Sequence, residues 1–418
     1  MASKKVLYIS YDGMTDPLGR SQVLPYLAGL SQQGYSFTLI SFEKPERYQK
    51  FKSQIEQICA ANAIRWVPLM YTKRPPVLST IYDVIKMRKL AFELQQEHHF
   101  DIVHARGAYV TSIVAHALQQ KFGVRYVFDM RGFWADERID GRLWNLKNPI
   151  YRTIYNFFKK REKKFLEQAD YVITLTHEAE KEIHSWEHID RSPVPIEVIP
   201  CCVDMDTFST ARVDIALRGQ LRDSLNLTQD DYILLYLGSL GTWYMLGEML
   251  DFFRVLHSIK PAAKLLFVTN DAQDHIFSEA AARGIDRSLL RVVNSPFDQV
   301  PTHIALADAS IFFITPAYSK KASSPVKQGE LMSMGVPVVC NAGVGDTEWI
   351  VKKYGSGVVV DQFDQSGYET AARLLLSTRF DKKAIQEGAE EFFSVQEGVA
   401  RYREVYEAIL TNPSPVHA

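Results

Sequence analysis

Short apolar segments alternate with helix-patterned segments along almost the whole chain, and this alternation constrains the fold more than any other feature. Most of these segments are continuously apolar, which is typical of parallel strands covered by helices on both faces. Between the first two, Val23, Leu27 and Leu30 share one helical face before Gly34. We predict strands in the first half at Val6–Ser10, Phe37–Phe42, Ile64–Pro68, Ile102–Ala105, Tyr126–Asp129, Tyr171–Thr174 and Val198–Ile199.

A second series of the same kind begins after the proline-containing stretch 192–200. Two consecutive series predict two α/β domains, each with a doubly wound parallel sheet, joined near residue 200. The strands predicted in the second series are Ile233–Leu237, Lys264–Val268, Leu290–Val293, Ser310–Ile314, Pro337–Cys340 and Gly357–Val360. Because such sheets bind ligands at the carboxyl ends of their strands, the loops there are the candidate sites, and we expect the active site between the domains.

Charge, cysteine content and metal motifs exclude several other classes of protein. The 418 residues include 48 Lys and Arg against 49 Asp and Glu, a balance that argues against a dedicated nucleic-acid binder. The four cysteines form no CxxC pair, which excludes a disulfide framework and a Cys-rich zinc site. Asp204-Met-Asp206 resembles a metal-binding D-x-D but lies at the domain join rather than after a core strand. We therefore expect no bound metal and no cofactor.

Loops after the first, fourth and fifth strands carry the candidate residues of the first domain. Gly13 and Gly19 would let backbone approach a phosphate at a helix N-terminus, although a turn role is the plainer alternative and their spacing fails the dinucleotide fingerprint. The segment 128–138 combines acids, arginines and aromatic rings, a pattern suited to holding sugars. The residues singled out are Asp129, Arg131, Trp134 and Asp136, with His104 and Arg106 ending the preceding strand. Taken alone, His104 is equally well interpreted as a core residue whose ring nitrogens are hydrogen-bonded within the protein.

The most informative window is residues 320–340. Ser324 followed by Pro325 has the pattern of an N-cap and first helical residue, which would point free N–H groups at an anion. Lys327 and Glu330 are three apart and so share a helix face. Lys327 would contact a phosphate and Glu330 a ribose. The plainer alternative is that the two form an i,i+3 ion pair on the surface. The neighbouring candidates are Lys320, Lys321 and Ser323.

Residues 147–164 interleave cations with aromatic and aliphatic side chains, and Glu162 is the one acid among them. A solvated helix with one core-facing stripe is the plainer interpretation. The alternative is a surface for anionic lipid or for a phosphate-bearing acceptor. No apolar run reaches the ~18–20 residues of a membrane span, and the run near the N-terminus is too short for a signal peptide. We expect a cytoplasmic protein, with peripheral contact at the inner face of the plasma membrane left open.

Several short segments occur in an order and spacing shared with one known family. They are the glycine loop at Gly19, Asp101–His104, Ala169–Thr176, Val198–Phe208, Tyr236–Leu240, Gly329–Val339 and Phe393–Tyr406. Together they resemble the family 4 retaining glycosyltransferases of the GT-B fold. The resemblance implies two Rossmann-like domains facing across a cleft: an acceptor-binding domain at 1–203 and a donor-binding domain at 204–393. It also implies a last helix, at 394–412, that crosses back to the first domain.

The same resemblance implies a reaction and assigns roles to residues. A sugar would pass from a nucleotide diphosphate donor to a hydroxyl of a saccharide or lipid-linked acceptor, with retention and without a metal, in surface polysaccharide or glycoconjugate synthesis. Glu330 matches the ribose-binding glutamate of the family, whose first glutamate falls on Ala322. The family's Arg/Lys pair on the diphosphate is absent from residues 239–244, and Lys327 is our favoured replacement. The implied catalytic residues are His104, Arg106 and Lys327; donor residues are Gly19, Ser239, Asn294, Lys320, Lys321, Ser323, Ser324 and Glu330; acceptor residues are Asp129, Arg131, Trp134 and Asp136.

Two alternatives stay open at this point. One is a sugar-nucleotide epimerase or hydrolase on the same two-domain scaffold. The other is a catalytically inactive sugar-binding partner, suggested by Ala322 and by the missing Arg/Lys pair. A dehydrogenase is disfavoured because the glycine spacing fails.

Overall fold

The computed structural model describes residues 3–75 and 77–411. Within them the chain forms two compact units: one comprises the residues up to Pro200 together with those from Val395, and the other is Cys201–Ser394. Each unit is built around one parallel sheet, as the two apolar series predict. Asn412, the last residue of the predicted final helix, lies outside the described residues.

The first sheet has seven parallel strands in the order β3-β2-β1-β4-β5-β6-β7. They are β1 (Lys4–Ser10), β2 (Tyr35–Glu43), β3 (Ile64–Met70), β4 (Ile102–Arg106), β5 (Arg125–Asp129), β6 (Tyr171–Thr174) and β7 (Ile196–Val198). The strand order reverses between β1 and β4. Ligands bind at such reversal points in open α/β sheets, because the loops after the two strands diverge there.

The second sheet has six parallel strands in the order β10-β9-β8-β11-β12-β13. They are β8 (Tyr232–Leu237), β9 (Ala263–Val268), β10 (Leu290–Val293), β11 (Ala309–Ile311), β12 (Val338–Asn341) and β13 (Gly357–Val360). Its order reverses between β8 and β11. Residues 233–236 at the centre of this sheet have no exposed surface, which explains why the central strands are continuously apolar.

Seventeen α-helices of the described residues connect and cover the two sheets. They are α1 (Pro17–Gln22), α2 (Leu24–Ser31), α3 (Pro45–Ala61), α4 (Leu78–His98), α5 (Tyr109–Phe122), α6 (Trp134–Asp140), α7 (Pro149–Gln168), α8 (His177–His184), α9 (Ile215–Ser224), α10 (Leu246–Ile259), α11 (Gln273–Ala282), α12 (Val300–Ile304), α13 (Val326–Ser333), α14 (Thr347–Tyr354), α15 (Gln365–Ser377), α16 (Lys382–Phe393) and α17 (Val395–Thr411). As predicted, the last helix belongs to the first unit, where it packs against α2.

Several strand ends differ from the predicted ones by one to three residues, and two of these differences have a structural reason. The strand predicted at Val198–Ile199 spans Ile196–Val198 instead, because Glu197 interrupts the apolar run on this half-buried edge strand. The strand predicted to end at Ile314 ends at Ile311. There the side chain of Asn341 replaces the neighbouring strand: its Oδ1 accepts from Ile314 N at 2.8 Å and its Nδ2 donates to Ile314 O at 3.0 Å.

Candidate functional site

In the second unit, a buried lysine lies beside the carboxyl end of β8. Lys327, in the first turn of α13, is 7% exposed. Its Nζ donates to the Tyr236 hydroxyl at 3.1 Å, and that hydroxyl donates to Ser239 O at 2.7 Å. The same Nζ lies 4.2 Å from the ring centroid of Tyr236 and 3.6 Å from that of Tyr244. We call Lys327 with these two rings the tyrosine cage.

The tyrosine cage depends on a tight turn after β8. Gly238 has φ +95°, a left-handed conformation that other residues adopt at a cost. A Cβ at this position would lie 3.6 Å from Lys327 Nζ. The turn therefore brings the backbone of Gly238 close to the ammonium group of Lys327. From there the chain continues to Tyr244.

Burial shifts both charges of the Lys327–Glu330 pair towards neutrality. It lowers the pKa of Lys327 to about 7, although Glu330 and Asp271 oppose this. It raises the pKa of Glu330 to about 7, against the opposing effect of Lys327. Lys327 forms no salt bridge with any described residue. An anion bound here would restore full charge to the lysine, because a nearby negative charge raises a lysine pKa.

Lys320 and Lys321 lie in the short 3₁₀ segment before α13. Lys320 is 6% exposed and its Nζ lies 3.7 Å from the ring centroid of Trp243. Lys321 is half-buried, with its Nζ 5.5 Å from the Tyr318 centroid. Ala322, the last residue of this segment, is buried. Ala322 brings no carboxylate where the resembled family has its first glutamate.

The predicted N-cap of α13 is wrong. The helix begins at Val326, and the N-cap position is Pro325, in extended conformation at φ −70° and ψ 116°. Ser324 precedes a proline, which disfavours helical conformation, and its Oγ instead accepts from Cys201 N at 3.1 Å. Ser323 is half-buried beside it. No side chain caps α13, so its first N–H groups keep their capacity to donate.

The other two donor-site candidates lie at strand ends of the same sheet. Ser239 is exposed after β8, and its Oγ donates to the Asp271 carboxylate at 3.0 and 3.2 Å. Asp271 also accepts from Thr269 Oγ1 at 3.1 Å. Asn294 is exposed just past β10, at the far edge of the sheet from β13. Ser239 is therefore next to the tyrosine cage, whereas Asn294 follows a strand two places further out.

In the first unit, His104 and Asp129 form a closed network with the last helix. Both residues have no exposed surface. His104 Nε2 lies 3.3 Å from Asp129 Oδ2, which also accepts from the Tyr402 hydroxyl at 2.9 Å. His104 Nδ1 lies 2.9 Å from the Tyr406 hydroxyl, and Tyr8 stacks on the imidazole at 4.4 Å. Both imidazole nitrogens are thus engaged, and His104 presents no surface to a substrate.

The protonation states of this network follow from its surroundings. Burial lowers the pKa of His104 more than Asp129 raises it, so the ring is neutral. Burial alone would raise the pKa of Asp129, but Arg131, His104 and Arg106 together hold it below its usual value. The carboxylate therefore accepts from His104 Nε2–H, and His104 Nδ1 accepts from the Tyr406 hydroxyl.

Arg106 and Arg131 complete this cluster at the reversal point of the first sheet. Arg106 is 4% exposed, and its Nη1 pairs with Asp12 Oδ2, after β1, at 3.1 Å. Its Nε is buried without a hydrogen-bond partner among the described residues. Arg131 has φ +51° and lies with its Nε 3.9 Å from Asp129 Oδ1. A non-glycine residue held in this conformation needs support from its surroundings, which Asp129 and the carbonyl of Ile199, 3.4 Å away, supply.

Gly19 has a packing role in this structure. A Cβ there would lie 2.2 Å from Gly13 O, so α1 reaches its own preceding loop only through a glycine. That loop is held by Glu43, which has no exposed surface and accepts from Met14 N at 2.7 Å and Thr15 N at 3.1 Å. Glu43 therefore secures the loop.

Trp134 and Asp136 lie against α7. Trp134 is half-buried, 4.9 Å from the ring of Phe158. Asp136 accepts from the Tyr155 hydroxyl at 2.7 Å and from Lys159 Nζ at 3.0 Å. The side chain of Lys159 also contacts Glu162. Asp136 is therefore tied to the protein itself, and the structure does not group it with Asp129 and Arg131.

Tyrosines are the residues that sequence reasoning missed. Tyr236 and Tyr244 hold Lys327, and Tyr402 and Tyr406 hold Asp129 and His104. Tyr402 and Tyr406 are four apart in the last helix and so share a face, which is the one signal in the sequence that pointed to them. In the sequence, Tyr236 looks like an ordinary residue of an apolar strand, and nothing sets it apart from its neighbours. Asp271, next to the turn after β8, was also missed.

The described residues contain no group of three or more His, Cys, Asp or Glu side chains arranged to hold a metal ion. Among the same residues, no helix combines the length and the apolar character that crossing a membrane requires.

Comparisons with known proteins identify the family. The profile of Glycosyltransferase Family 4 matches residues 23–207, and that of Glycosyl transferases group 1 matches residues 218–392. No curated protein sequence matches the chain significantly.

Solved structures show the same fold at low sequence identity. A glycosyltransferase from Rickettsia africae has a TM-score of 0.71 at 14% identity, covering 99% of this chain and 100% of that one. Anabaena HepE in complex with UDP and glucose has a TM-score of 0.69 at 15% identity, covering 97% and 100%. A putative UDP-N-acetylglucosamine 2-epimerase from Listeria monocytogenes has a TM-score of 0.57 at 13% identity, covering 99% of each chain. The two family profiles together span most of the sequence, and the chain belongs to the family 4, group 1 glycosyltransferases with the GT-B fold.

Proposed function

We propose that this glycosyltransferase moves a sugar from a nucleoside diphosphate donor to a hydroxyl of a saccharide or lipid-linked acceptor, with retention at the anomeric carbon. The proposal includes metal-independent transfer and a place in surface polysaccharide or glycoconjugate synthesis. Family membership supports the reaction class. HepE, which shares the fold, was crystallised with UDP and glucose, and this supports a nucleotide-sugar donor here.

The observation that carries the proposal is Lys327 in its tyrosine cage. The ammonium group has aromatic faces and one hydroxyl as partners but no salt bridge with a described residue. It lies in the first turn of α13, whose N-terminal N–H groups no side chain caps. Helix N-termini favour anions, and the charge of Lys327 adds to this. We assign the donor diphosphate to this position and the ribose hydroxyls to Glu330.

The chemistry requires stabilisation of the leaving group. The bond between the anomeric carbon and the diphosphate oxygen breaks while the acceptor oxygen bonds to the same face of that carbon. The acceptor proton passes to the leaving phosphate oxygen, so no side-chain base is needed. Negative charge grows on the diphosphate in this step. Lys327 and the N–H groups of α13 stabilise that charge more in the transition state than in the ground state, which is what accelerates transfer.

In the first unit we assign Arg106 and Arg131 to substrate hydroxyls or charged groups. Arg106 ends β4, which borders the sheet's reversal point, and Arg131 follows the neighbouring strand β5. His104 has no exposed surface, so we assign it a positioning role: it holds Asp129, which in turn supports Arg131. Trp134 and Asp136 support α7 and lie outside this assignment.

The experiment is a donor screen with wild-type protein and Lys327→Met. Nucleoside diphosphates and their sugars should raise the melting temperature of the wild type, because a ligand that binds only the folded state stabilises it. Lys327→Met keeps a side chain of similar length without the charge and should lose most of this stabilisation. The matched control is Lys264→Met, a half-buried lysine near the start of β9, which should keep it.

Incubating the preferred donor without an acceptor separates the alternatives. A transferase should leave the donor largely intact. Rapid interconversion of the sugar would favour the epimerase, whose scaffold the Listeria structure shares, and rapid release of nucleotide a hydrolase. Binding without turnover for any acceptor would identify an inactive sugar-binding partner. With an acceptor, the anomeric configuration of the product, read by NMR, tests retention, and full activity in chelator tests metal independence.

A further inference from the structure

Helix α4 exposes a row of large apolar side chains. Leu78 is 63% exposed, Ile81 50%, Tyr82 55% and Ile85 61%. Their spacing of three and four residues places them on one helix face. The opposite face of α4 supplies Met87 and other side chains to the core. We call the four exposed side chains the α4 stripe.

Four such side chains in a row differ from the other exposed apolar residues of the described chain. Ile215 in α9 and Phe297 after β10, for example, are exposed singly. Isolated apolar residues are ordinary on protein surfaces, whereas a contiguous patch marks an interaction site.

The charges around the α4 stripe have one sign. Lys73 and Arg74 precede it and are exposed, and Arg88 and Lys89 continue the same helix face beyond Ile85. The segment 71–92 contains one acid, Asp83. Its side chain is fully buried and accepts from the Tyr11 hydroxyl at 3.1 Å, from Thr72 N at 3.0 Å and from Lys86 Nζ at 2.8 Å. The exposed face of this segment therefore carries no carboxylate until Glu93, which lies 4.0 Å from Lys89 Nζ in an exposed ion pair.

The stretch 147–164, which the sequence offered as a membrane surface, differs mainly in how few of its apolar side chains are exposed. Its Phe158 is buried, and Tyr155 turns inward to Asp136. Lys159 is paired with Asp136, and Lys163 with Glu167 at 2.8 Å. Ile150 and Phe157 are its exposed large apolar residues. This pattern fits a solvated helix that packs on the core with one face, the plainer of the two interpretations.

We propose that the α4 stripe docks this protein on an anionic lipid surface. A helix lying in the plane of such a surface buries its apolar face among the acyl chains, while flanking Lys and Arg bind the headgroup phosphates. The cations Lys73, Arg74, Arg88 and Lys89 select an anionic surface. A second protein with an apolar groove would gain nothing from them unless it were acidic.

The position of the α4 stripe gives docking a consequence for the reaction. α4 follows the carboxyl end of β3 after residues 71–77, so the stripe, in its first two turns, lies at the same edge of the sheet as Arg106 and Asp129. A docked protein would present this edge to a lipid-linked acceptor. That consequence rests on the proposed function, whereas docking itself does not.

The test is cosedimentation with vesicles, without donor or acceptor. Wild-type protein should bind vesicles of mixed phosphatidylglycerol and phosphatidylcholine and not vesicles of phosphatidylcholine alone. Ile81→Asp/Ile85→Asp should lower the partition coefficient at least about tenfold, because two anchoring side chains become charged. Arg88→Ala/Lys89→Ala should lower it by about 25-fold at low salt, at about fivefold for each cation removed.

Matched controls separate docking from general effects. Ile215→Asp changes an 83% exposed isoleucine of the second unit and should bind as wild type. Ile150→Asp/Lys160→Ala changes α7 and should bind nearly as wild type. All substituted side chains are exposed, so the melting temperatures should stay unchanged and confirm folding.

Three results would overturn the proposal. The first is equal binding to neutral and anionic vesicles. The second is wild-type binding by Ile81→Asp/Ile85→Asp, or its loss in the α7 variant instead. The third is a dimer, seen by light scattering, that dissociates in Ile81→Asp/Ile85→Asp, which would show that a second copy covers the α4 stripe. Loss of transfer activity with retained vesicle binding would count against the proposed function and leave the docking proposal standing.

Discussion

Each unit buries charged side chains near the reversal point of its sheet. The two units differ in whether those charges are paired with opposite charges. In the first unit Asp129 lies among Arg131, His104 and Tyr402, and α17 closes the cluster. In the second unit Lys327 has two aromatic faces and one hydroxyl, and it forms no salt bridge with a described residue. A buried charge costs free energy unless it is paired. The first cluster therefore pairs its charges within the protein, whereas the second has no opposite charge paired with it among the described residues, which is why we assign the donor diphosphate to it.

The strongest test of this comparison is Lys327→Met. Transfer should slow by about 10²–10³-fold, the loss typical when one preorganised charge-stabilising donor is removed. Stability should stay the same or rise, because the variant removes a desolvated charge. Initial rates at saturating donor and urea unfolding measure the two effects. Wild-type activity with lowered stability would reverse the roles assigned to the two clusters.

Asp129→Asn should, in contrast to Lys327→Met, lower the stability of the protein. It leaves Arg131 and Arg106 without their buried counter-charge, and the free energy of unfolding of the first unit should fall by about 3 kcal/mol. Chemical denaturation followed by circular dichroism measures this. The control is Asp12→Asn, because the Asp12 side chain that pairs with Arg106 is 47% exposed and its loss should cost under about 1 kcal/mol. A cost for Asp129→Asn no larger than that of the control would contradict a stabilising role.

Removing the tyrosine hydroxyls of α17 sharpens the comparison further. Tyr402→Phe deletes a hydrogen bond to a carboxylate and should cost about 1.5 kcal/mol, whereas Tyr406→Phe deletes one to a neutral imidazole and should cost about 1 kcal/mol. Tyr35→Phe is the control, since this buried tyrosine contacts Tyr406 through its ring. Equal costs for all three variants would show that the hydroxyls do not matter.

The last test is a pH dependence from the Lys327–Glu330 pair. Burial raises the pKa of Glu330 from 4.5 to about 7, so between these values the folded state holds the extra proton and stability falls as pH rises. Burial lowers the pKa of Lys327 from 10.5 to about 7, so above pH 7 the unfolded state holds the extra proton and stability rises. The pair thus contributes a stability minimum near pH 7.

The pH effect is measured as a difference. Free energies of unfolding of the wild type and of Lys327→Met/Glu330→Gln are compared at each pH. The wild type should be lowest relative to the variant near pH 7. A difference that does not change with pH would show that the two groups titrate as they do in water.

Most strands were predictable because burial of both sheet faces requires continuous apolar segments. The errors occurred where side chains take over from neighbouring strands, as Asn341 does for Ile314, or where a charged residue interrupts an edge strand, as Glu197 does. Lys327 and Glu330 were found because their spacing puts them on one helix face. The N-cap at Ser324 was wrong because the oxygen of Ser324 binds Cys201 N.

The partners of the candidate residues were not predictable. Tyr402 and Tyr406 lie almost 300 residues from Asp129 and His104 along the chain, and no local pattern links them. Trp134 and Asp136 are residue types common in sugar sites, but here the ring of Trp134 packs on α7 and the carboxylate of Asp136 is hydrogen-bonded to α7.

The sequence by itself determined the two α/β series, the family and the helix that carries Lys327 and Glu330, because hydrophobic periodicity and short-range spacing are properties of the chain. Only the tertiary structure decided which buried charges are paired within the protein and which have no salt bridge among the described residues. It also decided that α4, rather than α7, exposes an apolar row among cations. Burial and pairing depend on residues that are distant in sequence, and they set the free energy of every buried charge and exposed apolar side chain.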